Sequence, residues 1–319
     1  MTPGKSPVSE SSPAGARGAR YAATTGGLVA LLCWSTTVPL VRSASERIGV
    51  FQAGALGMGV AGALGLLQYV VDRAARPVGS RAWRPRLLVC GGLFVAYQVS
   101  LLLAVGLAQG RRDVLVVGAL NYLWPVLTLL LSIPLLGQRC TLWIVPGSLC
   151  AALGEVLVVI GGMAGTETER APWDARRLGV YLLAATAAIC WALYSNLTRR
   201  LAGDSRDNPV PLFLLMSGLV LAPLCLLFPG GEGGTARTAW ELAFMALVPL
   251  LLAYSLWDQA MARGQATLVT VASYLVPVLS VGMSCIYLRI QAGWMIWSGT
   301  GLIVVGAIVS YLAFARHRP

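Results

Sequence analysis

Charged residues are scarce in this chain of 319 residues. They make up 12% of the sequence, whereas a typical soluble domain carries about 25%, and 57% of the residues are hydrophobic. So little charge cannot cover the surface of a water-soluble globule. The composition excludes one or two ordinary soluble domains and predicts an all-α polytopic membrane protein, because lipid offers backbone amides no partners and no strand-length alternation is present.

Histidine is almost absent, and cysteine forms no recognisable pattern. His317 is the one histidine, and the seven cysteines include no Cys-x-x-Cys pair. A Ser-His-Asp triad or a histidine zinc site in the apolar body is therefore excluded. We expect no enzyme activity, no catalytic residue, no metal and no cofactor. The net charge of +11 does not predict nucleic-acid binding, because the arginines lie between apolar runs and report topology.

Apolar runs of about 20 residues are each long enough to cross the hydrocarbon layer as a helix. Ten such spans are predicted, near residues 22–41, 50–71, 87–108, 114–136, 142–162, 178–198, 209–228, 240–261, 267–288 and 292–314. Of the 24 Lys and Arg residues, 15 fall on the side of the N-terminus and 9 on the other. The positive-inside rule then puts both termini in the cytoplasm.

The chain resembles itself at an offset of 152 residues. Residues 121–156 align without gaps on 273–308 with ten identities in 36 columns, and further upstream the offset becomes 157. Five spans per copy is an odd number, so the second copy enters the membrane from the opposite side, as in many secondary transporters. We predict a disordered cytoplasmic tail (1–20), a first repeat (21–162), a periplasmic linker (163–177), a second repeat (178–314) and a cytoplasmic tail (315–319).

The fourth and ninth spans each carry a small polar stripe with a proline. Asn121 and Pro125 recur as Ser273 and Pro277 in the second copy. A proline inside a helix leaves the carbonyl four residues earlier without its usual partner. This pattern predicts hinges at Pro125 and Pro277 and a cavity lined by Asn121 and Ser273, although a packing kink is the alternative.

Aromatic residues lie deep in the same spans, where Trp and Tyr are unusual. Packing and cavity lining are both open for each residue alone, and the polar stripes favour lining for the set: Trp34, Tyr97, Tyr122, Trp124, Trp191, Tyr194, Tyr254, Trp257 and Tyr274. Two acids inside spans, Glu155 and Asp258, are candidates for proton coupling. Asp258 is also close enough to Arg263 to be solvated. No lysine or arginine lies in the middle of a span, which disfavours phosphate-like cargo.

Four segments carry a resemblance to a known family: 31–36 (LLCWST), 117–125 (VGALNYLWP), 144–147 (IVPG) and 273–280 (SYLVPVLS). The chain resembles the EamA branch of the drug/metabolite transporter (DMT) superfamily over all ten spans. The resemblance implies a basket of ten helices in two inverted five-helix repeats, located in the inner membrane. It also implies broad export of aromatic and other neutral amino acids (Phe, Tyr, Trp, Thr and Met types) by alternating access. Under this resemblance the path is lined by Trp34, Tyr97, Asn121, Tyr122, Trp124, Trp191 and Ser273.

Other functions stay open at this level. Export of amphipathic cations such as viologens, or of another small metabolite, fits the aromatic residues but lacks a carboxylate shared by both repeats. An intramembrane enzyme or a scaffold without transport is a weaker reading. The lipid bilayer is the expected partner and nucleic acid is not. We expect a monomer, although the glycine-rich second span (Gly57, Ala61, Gly65) provides a surface for close helix contact within or between chains.

Overall fold

A computed structural model of the chain describes residues 13–73, 85–109, 111–163, 175–202, 208–231, 233–279, 283 and 293–315. Within these ranges the protein is helical, with no strand. The helices of the first part are α1 (Pro13–Ser35), α2 (Thr37–Ile48), α3 (Val50–Arg73), α4 (Arg86–Leu107), α5 (Arg111–Asn121), α6 (Trp124–Leu136) and α7 (Ile144–Met163).

The second part continues with α8 (Ala175–Leu201), α9 (Val210–Leu227), α10 (Ala236–Arg263), α11 (Ala266–Leu279) and α12 (Trp294–Ala315). In the described part of the chain, six helices are long and apolar enough to cross a membrane, and α6, α7 and α11 have shorter apolar stretches. Many aliphatic side chains on the outer surface are exposed, including Leu67, Leu182 and Leu226. Such a surface fits a lipid environment. The prediction of an all-α membrane protein is confirmed, and the count of ten spans stays a prediction.

Two pairs of helices pack antiparallel through glycine. In α7 and α12, a methyl group on Gly154 would lie 2.6 Å from the carbonyl oxygen of Gly299, and one on Gly306 would lie 2.6 Å from that of Gly147. Residue numbers rise along α7 as they fall along α12, so the two helices run in opposite directions. Gly59 of α3 meets Gly218 of α9 in the same antiparallel sense. Because only glycine lets two backbones come this close, these contacts hold the helix pairs together within one chain.

Two predicted spans are broken. The first is divided at Thr36 into α1 and α2, and the fourth is divided by a turn at Tyr122–Leu123 into α5 and α6. Ser35 and Thr36 donate hydroxyl hydrogen bonds of 2.6 and 2.7 Å to the carbonyls of Leu32 and Cys33. These bonds compete with the helical backbone ladder and favour a break.

The prediction of a continuous helix through Pro125 is wrong in detail, because this proline lies in the first turn of α6. That position needs no backbone N–H, so proline fits there without loss. At the N-terminus, α1 begins at Pro13, inside the segment predicted as a tail, while residues 1–12 lie outside the described residues. Of the predicted final tail (315–319), Ala315 ends α12 and residues 316–319 lie outside the described residues, as do Ser280 and Ser284 of the ninth predicted span.

Candidate functional site

A cluster of aromatic rings fills the centre of the larger hydrophobic core. Trp191 of α8 lies in the middle of the cluster. Its ring centroid is 4.8 Å from that of Tyr97, 5.6 Å from that of Trp34 and 5.4 Å from that of Tyr254. These separations are typical of stabilising aromatic pairs. We call the following residues the aromatic cluster: Trp34, Phe94, Tyr97, Trp124, Trp191, Tyr194, Phe213, Tyr254 and Trp257.

Three helices each supply two rings at positions i and i+3. These pairs are Phe94 and Tyr97 on α4, Trp191 and Tyr194 on α8, and Tyr254 and Trp257 on α10. Side chains at this spacing lie on one face of a helix, so each helix turns an aromatic face toward the others. Phe94 and Phe213 were missed by the sequence analysis. The spacing of Phe94 from Tyr97 is the signal that would have found it.

The indole N–H groups of two tryptophans donate hydrogen bonds to neighbouring helices. Trp34 Nε1 donates to the carbonyl oxygen of Pro249 at 3.0 Å, and Trp257 Nε1 donates to Ser195 Oγ at 3.2 Å. Pro249 lies in a π-helical segment of α10, Ala246–Leu252, and α4 begins with another, Arg86–Cys90. Segments of this kind are frequent at functional sites. The structure therefore brings together most of the predicted aromatic residues in one packed group, in which the N–H groups of Trp34 and Trp257 have hydrogen-bond acceptors.

The remaining predicted lining residues lie outside this group. Tyr122 packs against the larger core at the turn between α5 and α6. Asn121 Oδ1, next to it, is buried and has no hydrogen-bond partner among the described residues. Ser273 is fully buried on α11 and donates to the Thr270 carbonyl oxygen at 2.6 Å. Tyr274 is separated from the aromatic cluster, since it belongs to the second core around α7 and α12.

A small pocket, lined by both polar and apolar side chains, adjoins the aromatic cluster at Ser195, between α6, α8, α10 and α11. Asn196 Nδ2 donates to the Thr128 carbonyl oxygen at 3.0 Å across this pocket, so α8 is joined to α6. Sequence reasoning did not identify Asn196 or Arg199 as lining residues. The polar residues of the pocket include Thr128, Ser132, Gln138, Asn196, Arg199 and Thr270.

The two acidic candidates have different surroundings. Asp258 is 1% exposed, forms an ion pair with Arg86 and accepts a hydrogen bond of 2.9 Å from the hydroxyl of Tyr194. The expectation that Asp258 is solvated near Arg263 is wrong, because Asp258 is buried and forms an ion pair with Arg86 at the start of α4. Glu155 of α7 is 2% exposed, and neither carboxylate oxygen has a hydrogen-bond partner among the described residues.

Two further buried carboxylates join helices at the other end of the molecule. Asp113 of α5 receives Arg177 Nε at 3.1 Å and the Tyr181 hydroxyl at 2.9 Å, both from α8. Glu241 near the start of α10 binds Arg47 of α2 at 3.0 Å and Ser43 at 2.9 Å. Arg237 adds a third bond to Glu241. The described residues contain no group of three His, Cys, Asp or Glu side chains suited to a metal ion.

Comparison with known proteins agrees with this architecture. The model of the EamA-like transporter family matches twice, over residues 23–160 and 178–312. A solved crystal structure superimposes with a TM-score of 0.75 at 28% identity and covers 94% of this chain and 100% of that chain.

Relatives are similar over most of their length. The "Aromatic amino acid exporter YddG" of Salmonella typhimurium is 32% identical over 297 residues, 92% of this chain and 98% of that protein. The protein of the same name in Escherichia coli is 31% identical over 299 residues, 93% and 99% of the two chains. A "Probable terminal-alkyne amino-acid exporter" of Streptantibioticus cattleyicolor is 26% identical over 270 residues, 82% and 84%. The resemblance inferred from the sequence motifs is confirmed, and the chain belongs to the EamA-like transporter family.

Proposed function

We propose that this protein exports aromatic and other neutral amino acids across the inner membrane by alternating access. The aromatic cluster carries the proposal, because it lies at the meeting point of α1, α4, α6, α8 and α10 in a family whose similar members are named amino acid exporters. Aromatic faces attract an ammonium group by about 0.5–2 kcal/mol and provide apolar area for bulky side chains. Such a surface accepts several neutral amino acids with modest selectivity.

The inverted repeat is part of this proposal. Gly147 and Gly154 of the first copy correspond to Gly299 and Gly306 of the second. In the fold, Gly147 meets Gly306 and Gly154 meets Gly299. A two-fold axis relating the copies would produce such reciprocal contacts between equivalent residues. Two copies in opposite orientation can exchange inward-facing and outward-facing shapes by rocking against each other.

Hinges at Pro125 and Pro277 belong to the same mechanism. The chain leaves α-helical geometry just before each proline, at the turn Tyr122–Leu123 and in the 3₁₀ segment Ser273–Leu275. Both segments interrupt the regular hydrogen-bond ladder, so bending there costs less than in a continuous helix. We propose that α6 and the second part of α11 tilt at these points as the pathway opens.

The proposal is tested by flux in proteoliposomes loaded with phenylalanine or threonine. We expect protein-dependent efflux of both, weakened about five- to thirtyfold in apparent affinity by Trp34→Ala, which corresponds to about 1–2 kcal/mol of lost binding. Asn121→Ala is also expected to impair efflux. Trp240→Ala is the matched control, since Trp240 is 69% exposed and distant from the aromatic cluster. Absence of flux with any neutral amino acid would refute the proposal.

Export of amphipathic cations is the second candidate, and the buried charges argue against it. A cation bound at the aromatic cluster needs an acid that is not already neutralised. Asp258 adjoins the cluster through Tyr194, but Arg86 pairs with it. Cells that express the protein are therefore expected to be no more resistant to viologens than cells that carry an empty vector.

Proton coupling, if the export is active, is assigned to Glu155 in this proposal. Its carboxyl group is buried beside the second core and has no hydrogen-bond partner among the described residues. A lone carboxyl group at membrane depth is stable only in its neutral, protonated form, so it releases its proton when water or a base reaches it. Asp258 lacks this property in the present conformation because its charge is balanced.

A further inference from the structure

The ion pair between Arg86 and Asp258 adjoins the aromatic cluster. Asp258 directly follows Trp257 of the cluster, and its second oxygen accepts the hydroxyl hydrogen bond of Tyr194, another cluster member. The side chain of Arg86 is 3% exposed and that of Asp258 is 1% exposed. One positive and one negative charge are thus buried next to the rings, one on α4 and one on α10.

A buried ion pair is weak evidence for a role in stability. Burying two charges costs several kcal/mol of solvation free energy, and their attraction often does no more than cancel that cost. Apolar pairs of similar volume often hold two helices together equally well. The two charges also adjoin the aromatic cluster, where the cargo is proposed to bind. A role in recognising the cargo therefore explains their position better than a role in stability.

We propose that Arg86 and Asp258 are the head-group site for a zwitterionic amino acid, and this inference rests on the transport function proposed above. When cargo enters, its α-carboxylate takes the place of Asp258 at Arg86, and its α-ammonium takes the place of Arg86 at Asp258. The side chain of the cargo then lies against the aromatic cluster. Every charge in the site keeps an opposite partner, so the exchange leaves no bare charge in a dry environment.

The pair also selects against molecules that carry a single charge. An aromatic amine would pair with Asp258 but bring no carboxylate to replace Asp258 at Arg86. An aromatic carboxylic acid would pair with Arg86 but bring no ammonium group to replace Arg86 at Asp258. An uncompensated buried charge is strongly unfavourable, so both are rejected although their rings fit. The specificity therefore comes from the unfavourable binding free energy of molecules with a single charge. The head-group site differs from the site that the sequence predicts, a cavity lined by the uncharged side chains of Asn121 and Ser273.

The test measures inhibition of phenylalanine flux in proteoliposomes by phenylethylamine, a cation, and by 3-phenylpropionate, an anion. In the wild-type protein both analogues are expected to compete at least about tenfold more weakly than phenylalanine. Asp258→Asn keeps Arg86, so 3-phenylpropionate should become the better competitor. Arg86→Gln keeps Asp258, so phenylethylamine should become the better competitor. This reciprocal exchange is a signature that a merely structural ion pair does not produce.

Asp113→Asn and Arg177→Gln are the matched controls, because they break another buried ion pair between helices, away from the aromatic cluster. They are expected to change flux without changing the order of the competitors. If either single variant at Arg86 or Asp258 fails to fold, the double variant Arg86→Gln/Asp258→Asn removes both charges. It should then accept phenylalanine and both analogues with similar apparent affinity.

An unchanged order of competitors in the Arg86 and Asp258 variants would overturn the head-group site while phenylalanine flux keeps the transport proposal standing. A reduction in flux alone, equal to that of the controls, would assign the pair to holding α4 against α10 and would also overturn it. Absence of wild-type flux would refute the transport proposal and this inference with it.

Discussion

At the scale of single residues, the sequence predicted which aromatic residues act together but not which charged residues form pairs. Their depth and the polar stripes of the same spans predicted that Trp34, Trp191 and Trp257 act as a set, and the structure packs them in contact. Arg86 was counted as a loop cation because it follows a run of arginines. Its burial depends on Asp258, which is 172 residues away along the chain. Local pattern cannot reveal a charge pair that only tertiary packing brings together.

Glu155 gives a prediction at the same scale. Glu155→Gln keeps the shape of the side chain but removes the group that binds a proton. If Glu155 carries the coupling proton, phenylalanine efflux from wild-type proteoliposomes should change at least about threefold when an opposing pH gradient is imposed, whereas the variant should show no dependence. Flux at equal pH on both sides should persist in the variant.

The control for Glu155 is Ser148→Ala on the same helix, since Ser148 is also buried and its hydroxyl has no hydrogen-bond partner among the described residues. This variant should keep the response of the wild-type protein to the gradient. An equal response of Glu155→Gln and the wild type would remove Glu155 from the coupling mechanism. A wild-type protein that ignores the gradient would indicate facilitated diffusion.

At the scale of helices, apolar length predicted where helices form but not where they break. The first span is broken at Thr36 because hydroxyl groups of Ser35 and Thr36 bond to carbonyls of the preceding turn. The fourth is broken before Pro125, which the sequence had treated as a kink inside one helix. Hydropathy is averaged over about 20 residues, so it does not detect a single side chain that competes with the backbone for a hydrogen bond.

The glycine contact between α7 and α12 predicts a specific cost for added volume. A methyl group on Gly299 would lie 2.6 Å from the Gly154 carbonyl oxygen, so Gly299→Val must push the two backbones apart. We expect the free energy of unfolding to fall by about 1–3 kcal/mol, with a lower Tm in detergent. Gly301→Val on the same helix is the control, because nothing lies within 4 Å of its added carbon. Equal Tm values for both variants would contradict the close packing of α7 on α12.

At the scale of the whole molecule, the distribution of charge predicts the orientation of the chain in the membrane. The side that holds the N-terminus carries 15 of the 24 basic residues, which predicts cytoplasmic termini. Arg139, between α6 and α7, is then cytoplasmic, and Ala236, at the start of α10, is on the opposite side. Both residues are exposed. The three helices α7, α8 and α9 separate them, and an odd number of crossings requires opposite faces.

Labelling of single cysteines tests this arrangement in intact cells. In a background where the seven native cysteines are replaced, Ala236→Cys should react with a membrane-impermeant maleimide, whereas Arg139→Cys should react only after the cells are permeabilised. The reverse result would invert the orientation and turn the proposed exporter around, with the head-group pair of Arg86 and Asp258 then near the outer face. Labelling of both from one side would mean that α7, α8 and α9 do not all cross. The equivalent antiparallel helices would then not be two copies inserted in opposite directions, and rocking between inverted repeats would lose its structural basis.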